Sequence, residues 1–157
     1  MTKTKLCCVL KGVPGSGKST KARQIVAEAT KNNQTSLICS TDDFFVEHGN
    51  GIYKFEASLL GKAHNQNYKK FCKAIDEGIE IVIVDNTNIK VRDFKPYVLY
   101  ANNSGYEIVL IEPTTEWAWN AEECFKRNTH GVPKETIQRM INQYQHDVNV
   151  EDIINQN

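Results

Sequence analysis

Gly12-Val13-Pro14-Gly15-Ser16-Gly17-Lys18-Ser19 comes just after an apolar run, Leu6-Cys7-Cys8-Val9-Leu10, and just before a helical pattern. A strand, a glycine-rich turn ending in Gly-Lys-Ser and a helix, in that order, make a P-loop. The glycines let backbone N–H groups converge on phosphate oxygens, Lys18 reaches the outer phosphates, and the Ser19 hydroxyl ligates Mg²⁺. Gly12, Pro14, Gly15, Ser16, Gly17, Lys18 and Ser19 are therefore the expected nucleotide-binding set. Thr20 is a further neighbour for the α-phosphate, although it would serve equally well as an ordinary first-turn helix residue. The ligands this predicts are ATP or another nucleoside triphosphate, with Mg²⁺.

Working outward, four short apolar runs alternate with longer helical patterns: residues 5–11, 36–40, 79–84 and 106–111. Runs without polar alternation, each bounded by Gly, Asn or Ser, read as strands of a parallel sheet covered on both faces, so the class is α/β. Between them, residues 19–30, 56–77 and 91–103 carry helical spacing, the second stopped by Gly78 and the third by Ser104 and Gly105. Two more helices are expected over 115–127 and 133–147, with Pro133 in a first-turn position and a mobile loop at 128–132. A single domain over residues 1–150 is expected, with 151–157 fraying.

Composition narrows the function classes. Nineteen Lys plus Arg balance nineteen Asp plus Glu among 157 residues, so no global field favours nucleic acid and any such contact is a local patch. That balance suits a short or single-stranded acceptor better than a long duplex. The five cysteines form no C-x-x-C pair and lie in apolar runs, which suits buried thiols in a reducing cytosol. The run at 6–10 is shorter than a signal-peptide core or a membrane span, so a cytoplasmic chain without membrane attachment is expected.

In doubly wound sheets, ligands sit beyond the carboxyl ends of the strands. Ser40-Thr41-Asp42-Asp43 follows the second strand and Asp85-Asn86-Thr87-Asn88 ends the third. A carboxylate beside a transferred phosphate accepts the proton of an attacking hydroxyl, and one beside the P-loop serine holds Mg²⁺. Asp42 is the candidate base and Asp85 the candidate metal or substrate residue, with Asp43, Asn86 and Asn88 as candidate substrate contacts. The same residues would also cap a short helix at 44–47 or fix a loop. Phosphoryl transfer also needs cations against developing charge, and Arg127, where a helix runs into the Gly131 loop, is the candidate lid arginine. A charge favourable at a helix C-terminus is the alternative.

Other features carry less. His64 shares a helical face with Leu60 and Phe71 and reads as an interior histidine, and Trp117 reads as core. Trp119 would border a base or a partner. Gly51, Tyr53 and Phe55 fit an acceptor groove or a plain hairpin-like loop, and Arg23, Arg92 and Arg139 read as solvated charges.

Taken in order, the P-loop, residues 40–45, residues 84–88, and Lys126-Arg127-Asn128 before His130-Gly131-Val132-Pro133 resemble the P-loop polynucleotide kinase group. Within that group the chain resembles most the small kinase-like domain of a ubiquitin-ligase-binding protein and, more distantly, that of myelin cyclic nucleotide phosphodiesterase. The resemblance implies a sheet ordered 2-3-1-4, a C-terminal helical lid, and transfer of the γ-phosphate of ATP to the 5′-hydroxyl of DNA or RNA. It makes Lys18 and Ser19 the nucleotide and Mg²⁺ residues, Asp42 the general base, Asp85 a strand-end site residue and Arg127 a lid arginine. Phage and bacterial members carry a further arginine three residues after the base, gripping the acceptor's phosphate; here that position is Phe45. A small-molecule or nucleoside kinase, and a nucleotide-dependent binding module with vestigial catalysis, are the alternatives.

Overall fold

The computed structural model describes residues 4–155. Four strands, β1 (Leu6–Leu10), β2 (Ser36–Cys39), β3 (Ile81–Asp85) and β4 (Glu107–Ile111), form one parallel sheet ordered β2-β3-β1-β4. The helices are α1 (Lys18–Lys31), α2 (Asp42–His48), α3 (Leu60–Asp76), α4 (Val91–Asn103), α5 (Ala121–Arg127), α6 (Lys134–Gln143) and α7 (Val150–Asn155), with a single 3₁₀ turn at Ala57–Leu59. This is the expected α/β fold with strand order 2-3-1-4, and the C-terminal helices form a lid-like extension.

The central strand shows why the apolar runs lack alternation. Cys7 and Val9 face a core shared with α3, α4 and α7, while Cys8 and Leu10 face α1. Both faces of the sheet are covered, so every β1 side chain must be apolar. A third cluster, containing Val13, Ile89, Cys124 and Ile137, joins the P-loop to α5 and α6. Sheet order then sets the site. Leu10 is in register with Asp85, and Cys39 with Val84. The P-loop, Asp85 and the segment leading to Asp42 therefore leave the sheet side by side at its carboxyl end.

Three expected elements differ. The pattern at 115–127 yields a helix only from Ala121, because Thr115 Oγ1 donates to the Ser16 carbonyl (2.7 Å) and Trp117 Nε1 to the Gly15 carbonyl (3.0 Å). Those side chains hold 115–120 against the P-loop, and Asn120 then caps α5 by accepting from Glu123 N. Helix α6 stops at Gln143 because the next residues are tied elsewhere. Gln145 N donates to the Ile89 carbonyl, and Gln145 Oε1 and its carbonyl accept from Val91 N and Lys11 Nζ. Finally, residues 151–155, expected to fray, belong to α7, whose Ile153 is 3 % exposed within the α4 core. Burying that side chain stabilises the helix by roughly 1.5–3 kcal/mol, enough to order a turn and a half that has little propensity to stand alone. Residues 156 and 157 lie outside the described residues.

Candidate active site

The P-loop turns through Gly15 (φ 78°) and Gly17 (φ 108°), a left-handed backbone that a side chain would strain. Space is equally tight, since a Cβ on Gly15 would stand 2.1 Å from the Cys124 carbonyl oxygen of α5. The lid is thus seated directly on the loop. Gly15→Ala is expected to combine backbone strain with displacement of α5, costing roughly 2–5 kcal/mol and lowering Tm on the order of 10 °C. Gly105→Ala, with φ 83° and open space around it, carries the strain alone. Thermal melts of the two variants separate the contributions, and ATP titration is expected to show weakened binding for Gly15→Ala only.

Gly15, Gly17, Lys18, Ser19 and Thr20 line a cleft of about 330 Å³ closed on the lid side by Trp117 and Arg127. Arg23, read as a solvated charge, also lines it. Three cations and, among the described residues, no carboxylate make this wall, which fits a polyphosphate. Arg127 lies over the Trp117 ring, its guanidinium carbon 3.6 Å from the centroid, while its Nε donates to Glu123 (2.9 Å). Trp117, expected in the core, is therefore a half-buried platform that fixes Arg127 beside the cleft. The 128–132 loop, expected to be mobile, is braced, with Asn128 Oδ1 accepting from Val132 N and its Nδ2 donating to the Phe125 carbonyl.

Lys18 Nζ donates to Asp85 Oδ1 at 3.3 Å, with both side chains 14 % exposed. Asp42 lies beyond this pair. Desolvation raises the Asp42 pKa, opposed by the neighbouring His130 and Lys18 and reinforced by Asp85 and Asp43. His130 Nδ1 is 3.3 Å from Asp42 Oδ2, and its ring stacks on Tyr53 at 3.9 Å. The lid loop thus folds onto the candidate base, and Tyr53, whose hydroxyl pKa burial and Asp42 push up to about 12, forms the wall behind it. Neither His130 nor Trp117 received a site role from sequence. The spacing of His130 to Arg127 places both in the lid segment, but only the fold brings one to the base and the other to the cleft.

The remaining candidates separate. Asp43 points outward to Lys70 of α3 (3.4 Å). Asn86 Oδ1 accepts from Thr41 N (2.9 Å), tying the two strand ends together. Asn88, left-handed at φ 48° and 2 % exposed, donates from Nδ2 to the Leu10 carbonyl (2.6 Å). Phe45 is 1 % exposed and packs against Tyr53 and Phe55, so its ring anchors the loop after α2. His64, expected inside, stays exposed while its Nδ1 meets Thr41 Oγ1 at 3.1 Å. Trp119 packs edge-on against Tyr144 and beside His146. Among the described residues no helix is long and apolar enough to cross a membrane.

The model of a family described as AAA domain matches residues 8–146. Human NEDD4-binding protein 2 is 40 % identical over 142 residues, covering 90 % of this chain and 8 % of that protein. The 2′,3′-cyclic-nucleotide 3′-phosphodiesterase of Pongo abelii is 27 % identical over 133 residues, covering 84 % of this chain and 30 % of that one. The chain thus spans less than a third of either relative. Among solved structures, a chain of the Pnkp1/Rnl/Hen1 RNA repair complex superposes with a TM-score of 0.66 at 19 % identity, over 91 % of this chain and 45 % of its own. At that identity the likeness establishes the fold alone.

Proposed function

The chain belongs to this AAA domain family, and from that premise and its P-loop kinase-like fold we propose that it is an ATP-dependent kinase acting on the 5′-hydroxyl of DNA or RNA. The observation that carries the reading is the position of Asp42. A pure nucleotide binder needs no base, yet here a half-exposed carboxylate follows the carboxyl end of β2 and meets His130 of the lid loop at 3.3 Å, within electrostatic reach of Lys18 and Asp85. The RNA repair complex among the structural neighbours supports the choice of acceptor class.

In the reaction, Asp42 accepts the proton of the acceptor hydroxyl as its oxygen forms a bond to the γ-phosphorus. The bond from that phosphorus to the β–γ bridging oxygen breaks, and ADP leaves. Charge builds on the phosphoryl oxygens and the bridge, where Lys18 and Arg127 offset it. Ser19 and Asp85 are the oxygen donors that fit Mg²⁺, a hard cation that would neutralise the outer phosphates when bound. Trp117 and the lid narrow the cleft, limiting the water that competes with the acceptor.

Incubation with γ-labelled ATP and 5′-hydroxyl oligonucleotides tests the proposal. Label is expected on the 5′ end of DNA or RNA; ATP binding with no turnover on any acceptor would instead leave a binding module. A second reading, a nucleoside or other small-molecule kinase, is favoured by the burial of Phe45, which leaves no cation at that place on α2. Nucleoside-stimulated ADP release separates the two.

A further inference from the structure

Besides the P-loop cleft, the carboxyl end of the sheet carries a larger cavity of about 510 Å³ between α3 and α4, floored by the loop after β3. Its chemistry is the reverse of the cleft's. Among the described residues no lysine or arginine lines it, and Asp93 contributes a carboxylate. A phosphate there would meet repulsion from Asp93 and no lysine or arginine to grip it. Apart from Asp93, what the cavity offers is the exposed carboxamide of Asn65, the imidazole of His64 and the half-buried ring of Tyr68, set over Asn86 and the buried Tyr97, which are tied to Thr41 and Phe71. Carboxamides pair with the mixed donor and acceptor edge of a nucleobase, and rings stack on its face. Asn88 adds an unmet demand. It lines the cavity, its Nδ2 is committed to Leu10, and its buried Oδ1 has no hydrogen-bond partner. A buried acceptor left alone is costly unless a ligand or water supplies a donor.

The cavity wall also holds the backbone that carries the base. Thr41, one residue before Asp42, is fixed by Asn86 through its N–H and by His64 through its hydroxyl. The negative charge of Asp42 acts on His64 as well as on Lys18's side of the site. Asp42 thus follows a residue held by two cavity-wall side chains and meets His130 of the lid loop at 3.3 Å, so a hydroxyl carried by a cavity-bound molecule would lie on the base's side of the sheet end. We propose that the α3–α4 cavity binds an uncharged nucleoside moiety, recognised by its base and sugar, as the acceptor half of the site. The word acceptor rests on the kinase reading; occupancy of the cavity does not.

A free nucleoside and the 5′-terminal nucleoside of an oligonucleotide share this chemistry, and the experiment distinguishes them. The full chain is saturated with ADP and Mg²⁺ to fill the cleft, then titrated calorimetrically with adenosine, guanosine, cytidine and uridine, and with a 5′-hydroxyl trinucleotide. At least one nucleoside is expected to bind, with affinity nearly flat between about 50 and 300 mM salt because no phosphate is gripped. Asn65→Trp, on an exposed turn of α3, is expected to weaken nucleoside binding about ten-fold or more by filling the cavity, with ADP affinity and Tm unchanged. A trinucleotide that binds only as tightly as its nucleoside, and loses as much in Asn65→Trp, identifies the 5′-terminal nucleoside as the moiety held. The proposal is overturned by absence of nucleoside binding, by equal binding in Asn65→Trp, or by trinucleotide binding alone with a steep salt dependence. Nucleoside binding without phosphoryl transfer would sink the kinase reading and leave the cavity assignment standing.

Discussion

Asp42→Asn loses about 10²–10⁴-fold in kcat for phosphoryl transfer, keeps its affinity for ATP, and melts at a higher temperature than the wild type. The loss follows from removing the group that takes the acceptor's proton while leaving every residue of the P-loop cleft in place. The gain follows from the direction of its titration. Desolvation raises the folded-state pKa of Asp42 above its value in the unfolded chain, outweighing the attraction of His130 and Lys18. A raised carboxylate stabilises the fold fully below the unfolded pKa, and that contribution disappears as pH rises through the folded pKa. At neutral pH the ionised group is therefore a net cost, a small one because the side chain is 48 % exposed and meets His130 at 3.3 Å, and a neutral amide of the same shape removes it. The same shift puts the acid limb of the kcat/KM profile above the ordinary aspartate value of 3.8. A variant that loses activity but also loses stability would place Asp42 among structural caps, since Asp42 opens α2. Circular dichroism melts and single-turnover transfer on one preparation give both answers.

The parts of this site that local sequence could reveal are those governed by nearest neighbours. Gly15 and Gly17 need left-handed backbone, β1 needs apolar residues on both faces, and the strand-end position of Asp85 follows from the run Ile81–Asp85. The rest depends on atoms far apart in sequence. Residues 115–120 have a helical pattern, yet Thr115 and Trp117 reach carbonyls about a hundred residues away on the P-loop, and those bonds outweigh propensity. Helix α6 ends where Gln145 meets Ile89, Val91 and Lys11, three partners that no local window contains. Lys11 is a clear case. It follows the central strand as an ordinary charged residue, yet it is 2 % exposed, with its ammonium over the rings of Phe94 and Tyr144. His130 likewise has no local mark of function, because its meaning comes from Asp42 and Tyr53 on the other side of the sheet's end.

Arg127→Ala is expected to lower kcat by about 10³-fold or more, with a smaller rise in KM for ATP. The residue lies beside the cleft because Trp117 holds it there. The indole is fixed by its own hydrogen bond to Gly15, and the guanidinium stacks on the indole. A planar cation held over an indole at the edge of a phosphate cleft is preorganised for charge that develops during transfer. Its bond to Glu123 does not cancel that role. The two side chains are 47 % and 36 % exposed, and an i,i+4 ion pair at such exposure contributes at most a few tenths of a kcal/mol, roughly. Arg127→Lys is expected to recover little, because an ammonium on a flexible stem neither stacks on Trp117 nor presents two parallel donors. Trp117→Leu should fall between, keeping the charge but losing the plane that aims it. If instead Arg127→Ala lowers Tm slightly and leaves kcat intact, the arginine serves only the carboxyl end of α5, where a positive charge is favourable in any helix. Pre-steady-state transfer by Arg127→Ala, Arg127→Lys and Trp117→Leu at saturating ATP distinguishes these outcomes, because an aimed cation ranks the three by geometry and a helix-end charge ranks them by charge alone.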